Sequence, residues 1–403
     1  MRIAVVHGFG APGGEDEAVL DQVAALTRAG HEVRLVSVNG RGRGPQGPVR
    51  SSPAASQRLA PPPPALSSVI PKLSDKLRAG ETPFAPRRLP PPPWIRRHQA
   101  PLLAPRGNSE QDLATLRAFG PDVVHVHNLY PAFGRAWVTE WTGPVVATLR
   151  HGPHRGSRFA ALQFPWAARG GLRQDPLLRR ADRLVVLSEA SRDACARAGL
   201  PRERLDVLPD FVPTVAEPEV GGAGGAYGAG GAGGAWVCVG PLAPERGVLE
   251  LLRRWPAGER LDMVGAGPLE GRCRAAAPAS VRMCGAVGRG ELRRALPGYR
   301  GIVLPGRGAR GAVPLVYAEA LAAGLPVLAF EGAGASAVPR AVRSDGTGTV
   351  TTLDAHLPDA LDVAAKIFPT LREHCRAVYA KRYGEAVWTE RTECLYASLT
   401  PRS

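Results

Sequence analysis

Residues 314–330 read PLVYAEALAAGLPVLAF, a helix pattern that runs straight into a strand pattern. Leu315, Ala318, Leu321 and Ala322 recur at three- and four-residue steps, the spacing of one helix face. Pro314 suits the first helical turn, where a missing N–H costs nothing, and Gly324 suits a left-handed stop. LPVLAF does not alternate and reads as a strand buried on both faces, so the sheet it enters is expected to be parallel. One residue is out of character. Glu319 is an ionisable carboxylate on a small, apolar helix, and burying it is costly without a partner. None is obvious within the helix, so something polar is expected to meet it.

The same alternation extends in both directions. RIAVVHGF (2–9) reads as a strand, GAPGGEDE as a loop, residues 18–29 as a helix closed by Gly30, and HEVRLVSV (31–38) as the next strand. DLATLRAF is helical in pattern; DVVHVH (122–127), PVVATL (144–149), DRLVVLS (182–188) and LDVLPDF (205–211) are strands. VGGAGGAYGAGGAGGA (220–235) interrupts the series and has the composition of a flexible connector. Beyond it the series restarts with AWVCVG, RLDMVG, SVRMCG and GIVLPG, and helices are expected near 246–254 and 268–276. We therefore expect an α/β protein of two doubly wound, Rossmann-like domains facing each other across a cleft, with ligands at the carboxyl ends of the strands. The expected bounds are 1–212 for the first domain, 213–235 for the linker and 236–383 for the second. A helix in 384–403 is expected to return to the first.

At 403 residues and 44% hydrophobic the chain can bury two cores. It has no unbroken apolar run long enough to span a bilayer and no export signal, so a cytoplasmic protein is expected. Six cysteines without a CxxC pair suggest neither a zinc site nor a disulfide framework. The net charge is +15, and residues 41–110 hold 12 Arg or Lys against three acids, with 16 of the 40 prolines. That composition favours a solvated insertion over a packed core. A patch touching an anionic membrane or an acidic partner is the functional alternative. No nucleic-acid module accompanies the charge, and no nucleic acid is expected as a partner.

GGEDEAVLDQVAALTRAGHEV (13–33), PDVVHVHNLYP (121–131), LVVLSEASRDACARAGLPRERLDVLPDFV (184–212), VGPLAPERGVLELL (239–252), MVGAGPL (263–269) and the 314–330 stretch occur in this order. Together they resemble a retaining glycosyltransferase of family 4 with the GT-B fold. The resemblance implies transfer of a sugar from a nucleotide-sugar donor to a hydroxyl acceptor with retention at the anomeric carbon. It implies that Glu319 binds the donor ribose and Arg246 the diphosphate, while the backbone around Gly311, Ala312, Val313, Pro314 and Leu315 holds the donor sugar and phosphate. Gly14 would approach the donor phosphates, with Gly13, Glu15 and Asn128 on the acceptor side. His151 or His127 would lie near the reacting centre. A fixed cation at Arg246 stabilises a departing diphosphate directly. The chain has no Asp-x-Asp pair, so neither a metal nor a cofactor is expected beyond the donor itself.

Three positions depart from the family pattern: Gly311 stands where a second glutamate is usual, Pro241 where an arginine is usual, and Arg150 where a histidine is usual. None is expected in a core. They keep open a non-catalytic scaffold that binds a nucleotide sugar or a partner subunit. A sugar epimerase of the same fold matches these motifs less well.

Overall fold

In the computed structural model, residues 1–7, 14–37, 109–127, 140–150, 175–213, 234–305, 313–331, 337–352 and 354–400 are described. The chain divides into two units, Met1–Gly40 with Pro105–Ser403, and Arg41–Ala104. The basic proline-rich insertion and most of the Gly/Ala-rich connector lie outside the described residues.

The first half is built from β1 (Arg2–His7), α1 (Gly14–Arg28), β2 (Glu32–Ser37), α2 (Ser109–Phe119), β3 (Val123–His127), β4 (Val145–Leu149), α3 (Pro176–Arg180), β5 (Arg183–Val186), α4 (Glu189–Arg197) and β6 (Leu205–Val207). The second half comprises β7 (Trp236–Val239), α5 (Val248–Arg254), β8 (Leu261–Val264), α6 (Glu270–Ala276), β9 (Val281–Gly285), α7 (Arg289–Ala295), β10 (Gly301–Leu304), α8 (Leu315–Ala322), β11 (Val327–Glu331), α9 (Ala337–Asp345) and β12 (Gly348–Thr352). Two helices follow, α10 (Leu357–Arg382) and α11 (Glu385–Ala397).

Every strand pair is parallel, in the orders β2-β1-β3-β4-β5-β6 and β12-β11-β10-β7-β8-β9. Each half is thus a doubly wound, Rossmann-like sheet. The strand order reverses between β1 and β3 in the first sheet and between β7 and β10 in the second, and such reversals open a crevice at the strands' carboxyl ends.

Side chains two apart along a strand share a face. Ile3, Val5, Val123, Val146 and Val185 therefore form one core layer with Val19, Ala25 and Leu26 of α1. Trp388, Leu395 and Tyr396 of α11 enter that same layer, so the last helix packs on the first half. Its charged face is tied there too: Arg28 bonds Glu385 at 2.6 Å, and His31 meets Glu393 at 2.8 Å. The opposite face of the first sheet packs Ala4, Val6, Val124 and Val126 against α2, α3 and α4.

Around 314–330 the structure revises the expected helix face. Burial runs consecutively from Tyr317 to Leu321, because α8 sits between the sheet residues Ile302, Val327 and Ala329 and the α10 residues Cys375 and Tyr379. Pro314 is the residue before the helix, not its first turn. Gly324 stops the helix as expected: at φ +65° it donates to Leu321, while Leu325 donates back to Ala320. Boundaries elsewhere also shift. α1 begins at Gly14, four residues before the expected start, and α5 begins at Val248, leaving Arg246 in a single 3₁₀ turn, Pro244–Arg246. All six cysteines are free, four of them buried.

Candidate functional site

The carboxyl ends of β1, β3 and β4 bring a histidine pair and an arginine together. His7 and His127 are the last residues of their strands and lie in register with each other and with Thr148 of β4. His7 is 6.4 Å from His127 edge-on, and His125, two residues earlier on β3, stacks on His127 at 4.1 Å. His125 is fully committed: Nδ1 meets the Tyr396 hydroxyl at 2.6 Å and Nε2 meets Thr148 Oγ1 at 2.7 Å. Burial, with Arg150 adding, pushes its pKa down to about 3. His127 is likewise held neutral, by burial first and then by His125, Arg150 and His7, and its Nδ1 has no hydrogen-bond partner among the described residues. His7 Nε2 is 2.8 Å from Asp16 Oδ1 in the first turn of α1.

Arg150 follows β4 on the same face and is only 6% exposed. This corrects the expectation that none of the three altered positions lies in a core. Its Nη1 donates to Asp210 Oδ2 at 2.5 Å, and Gln22 of α1 donates to the other carboxylate oxygen at 2.8 Å. Nε and Nη2 of Arg150 are buried without partners among the described residues.

In the second half Glu319 is 4% exposed, and its partners come from α7. Arg289 Nε donates to Glu319 Oε1 at 3.0 Å and Arg293 Nε to the same oxygen at 3.3 Å. Oε2 makes no hydrogen bond to a described residue. Arg289 Nη1 reaches on to Glu17 Oε2 of α1 at 2.8 Å and lies 3.8 Å from Asp21. Burial raises the Asp21 pKa, with Arg289 and Arg293 opposing. Arg289 opens α7 just beyond β9, and Glu17 lies in the first turn of α1 just beyond β1. The carboxyl-end sides of the two halves therefore meet at this pair.

Arg246 is held beside β7 by closely packed turns. Gly240 and Leu242 donate to Val264 and Ala266, and Leu269 donates back to Leu242. A Cβ on Gly265 would collide with the Gly240 carbonyl oxygen, and one on Gly267 would lie 2.5 Å from that of Leu242. The turn that carries Arg246 is thus fixed, while its half-buried guanidinium forms no ion pair with a described residue. Pro241, at the altered position of the same turn, is exposed.

Other expected residues are placed less fully. Gly14 starts α1, and Glu15 lies in its first turn with its side chain outside the described atoms. Gly13, Asn128, His151, Gly311 and Ala312 lie outside the described residues. Val313 and Pro314 precede α8, and Leu315 is its first residue. Of these three, Pro314 has no N–H to offer a ligand. Sequence reasoning gave no role to His7, His125, Asp210, Arg289 or Arg293. Two of the signals were present: HVH at 125–127 has the period of a strand face, and Arg289 and Arg293 have the i, i+4 spacing of a helix face.

Among the described residues no three His, Cys, Asp or Glu side chains group as metal ligands, and no helix is long and apolar enough to cross a membrane. Comparison with protein families matches residues 12–215 to the model described as Glycosyltransferase Family 4 and residues 234–376 to that described as Glycosyl transferases group 1. Among solved structures, HepE of Anabaena in complex with UDP is 14% identical, covering 99% of this chain and 100% of that one, with a TM-score of 0.61. A glycosyltransferase of Rickettsia africae is 13% identical, covers 100% of both chains and has a TM-score of 0.65. The lipopolysaccharide outer core galactosyltransferase WaaB, in its apo form, is 13% identical over 99% of this chain and 100% of that one, at 0.58. At these identities the likeness is one of fold. No curated protein matches the chain.

Proposed function

From the premise that this chain belongs to the glycosyltransferase family 4 whose model it matches, we propose that it moves a sugar from a nucleotide-sugar donor to a hydroxyl acceptor with retention at the anomeric carbon. The observation that carries the reading is the half-engaged carboxylate of Glu319. Two arginines hold Oε1 in place, and Oε2 is left to accept from a ribose hydroxyl.

Arg246 would hold the donor diphosphate and stabilise the charge that develops as it leaves. The N–H groups of Val313 and Leu315, at the positive end of α8, would add donors to the same ligand. Because the cation is part of the chain, turnover is expected to persist in a chelator. His127, neutral and buried at the strand reversal, is suited to a hydrogen bond with the reacting sugar. The protein would work in the cytoplasm, and its basic stretch 41–110 would bring it to anionic membranes. Co-sedimentation with anionic vesicles at low salt tests that contact.

The Anabaena relative was solved with UDP and with UDP-glucose, so UDP-sugars lead a screen that also includes GDP-, ADP- and TDP-sugars. Thermal stabilisation by one donor, with release of its nucleoside diphosphate, is the expected result. Stabilisation without turnover on any hydroxyl acceptor would favour a nucleotide-sugar-binding scaffold. The Arg289–Glu17 pair favours that second reading to one extent, since it already joins the halves without a ligand.

A further inference from the structure

The guanidinium of Arg150 is divided. Nη1 is spent on Asp210, while the Nε and Nη2 edge is buried and unpartnered among the described residues. That edge presents two parallel N–H groups, the geometry that takes two oxygens of a carboxylate or phosphate. Leaving it empty in a buried place is costly. Within the same cluster His127 Nδ1 and the buried acceptor Gln22 Oε1 also have no hydrogen-bond partner among the described residues. The paired donors of Arg150 match the two oxygens of an oxyanion.

We propose that Arg150 binds an anionic group of the acceptor, a phosphate or carboxylate carried on the same molecule as the reacting hydroxyl. The inference rests on the glycosyl-transfer reading and names its acceptor class. Arg150 and His127 stand on the first half, at the reversal between β1 and β3 and on the neighbouring strand. The side chains assigned to the donor, Glu319 and Arg246, stand on the second, and only the Gly14 backbone is assigned to it on the first. An anion on Arg150 is therefore a second anion, distinct from the donor diphosphate. Asp210 and Gln22 keep the guanidinium's edge turned to one direction, so the site selects for a planar or tetrahedral oxyanion over a neutral hydroxyl.

The test uses the full chain and titrates inorganic phosphate by calorimetry, with and without saturating UDP, GDP or ADP. One phosphate per chain is expected to bind with the nucleotide present, and Arg150→Gln is expected to weaken it at least tenfold. Arg246→Gln should weaken the nucleotide and spare the phosphate. Arg150→Lys, which keeps the charge but not the paired donors, should recover only part of the affinity and guards against a folding defect in the glutamine variant. No phosphate binding to the unaltered chain, or equal binding to Arg150→Gln, overturns the proposal. Phosphate that is displaced by nucleotide and lost in Arg246→Gln belongs to the donor site and overturns it as well. Phosphate binding that depends on Arg150, in a chain that binds no nucleotide or nucleotide sugar, would support the anion site while sinking the glycosyl-transfer reading.

Discussion

In Glu319→Gln the side chain keeps its shape but loses the charge shared by Arg289 and Arg293. Two measurements should move together. Donor affinity is expected to fall by about 1–3 kcal/mol, the scale of a charge-assisted hydrogen bond. Stability should fall by an amount on the order of 1–3 kcal/mol as well, because two partly buried guanidinium groups lose their counter-charge. Unchanged nucleotide-sugar affinity with lowered stability would make Glu319 a purely internal partner of the arginines. His125 supports a prediction in pH. Its pKa is about 3 in the folded chain against an ordinary 6.5, so the unfolded chain binds the extra proton first. The stability it contributes is complete above pH 6.5 and declines as pH falls toward 3, with a limiting slope of about 1.4 kcal/mol per pH unit for one histidine. Urea unfolding at pH 7 and pH 5 should show the loss, and His125→Asn should lessen it, the remainder coming from groups such as His127 that are also held neutral by burial. An equal slope in the variant would assign the acid sensitivity to other groups.

At the scale of elements, the turns after β7 and β8 decide where Arg246 stands. Gly265 has φ +148°, and a Cβ added there would collide with the Gly240 carbonyl. An alanine there is strained in its backbone and collides with another backbone, so Gly265→Ala should destabilise the chain by on the order of 3 kcal/mol. Gly258→Ala, where an added Cβ meets nothing within 4 Å, is the control and should be near neutral. Chemical denaturation compares the two; similar midpoints would mean the turns move apart at little cost. The glycines in VGPLAPERG and MVGAGPL were legible as a motif. Which glycine faces which carbonyl was not, because the approach joins residues 25 apart on neighbouring strands.

Across the whole molecule, α11 links the chain's end to its beginning. Trp388 is 3% exposed and packs on Phe211 with ring centroids 5.0 Å apart, while Tyr396 closes the hydrogen bond to His125. Trp388→Ala is expected to cost about 3–5 kcal/mol, the usual cost of emptying a buried aromatic site. Truncation after Tyr383 should leave the first half without part of its core and lower its thermal stability before that of the second half. Hydrogen exchange that is unchanged in β1 and β3 after truncation would show that α11 is dispensable there. The halves also meet through ion pairs. Arg340–Asp193, at 3.0 Å, is largely exposed, and its loss should be within about 0.5 kcal/mol of neutral.

The amino-acid sequence by itself determined the alternation of strands and helices, the two-domain order and the stop at Gly324. Each of these rests on local periodicity or on the backbone freedom of one residue. It also marked Glu319 as a charge in need of a partner. Only the tertiary structure decided which partners those are, because Arg289 and Arg293 come from a different helix 26 to 30 residues away, selected by the strand order of the second sheet. The same holds for Arg150. Its place after a strand was readable, but its burial depends on Asp210 and Gln22, which are remote in sequence and meet it only when α1 and the end of the first half pack on one face of the sheet.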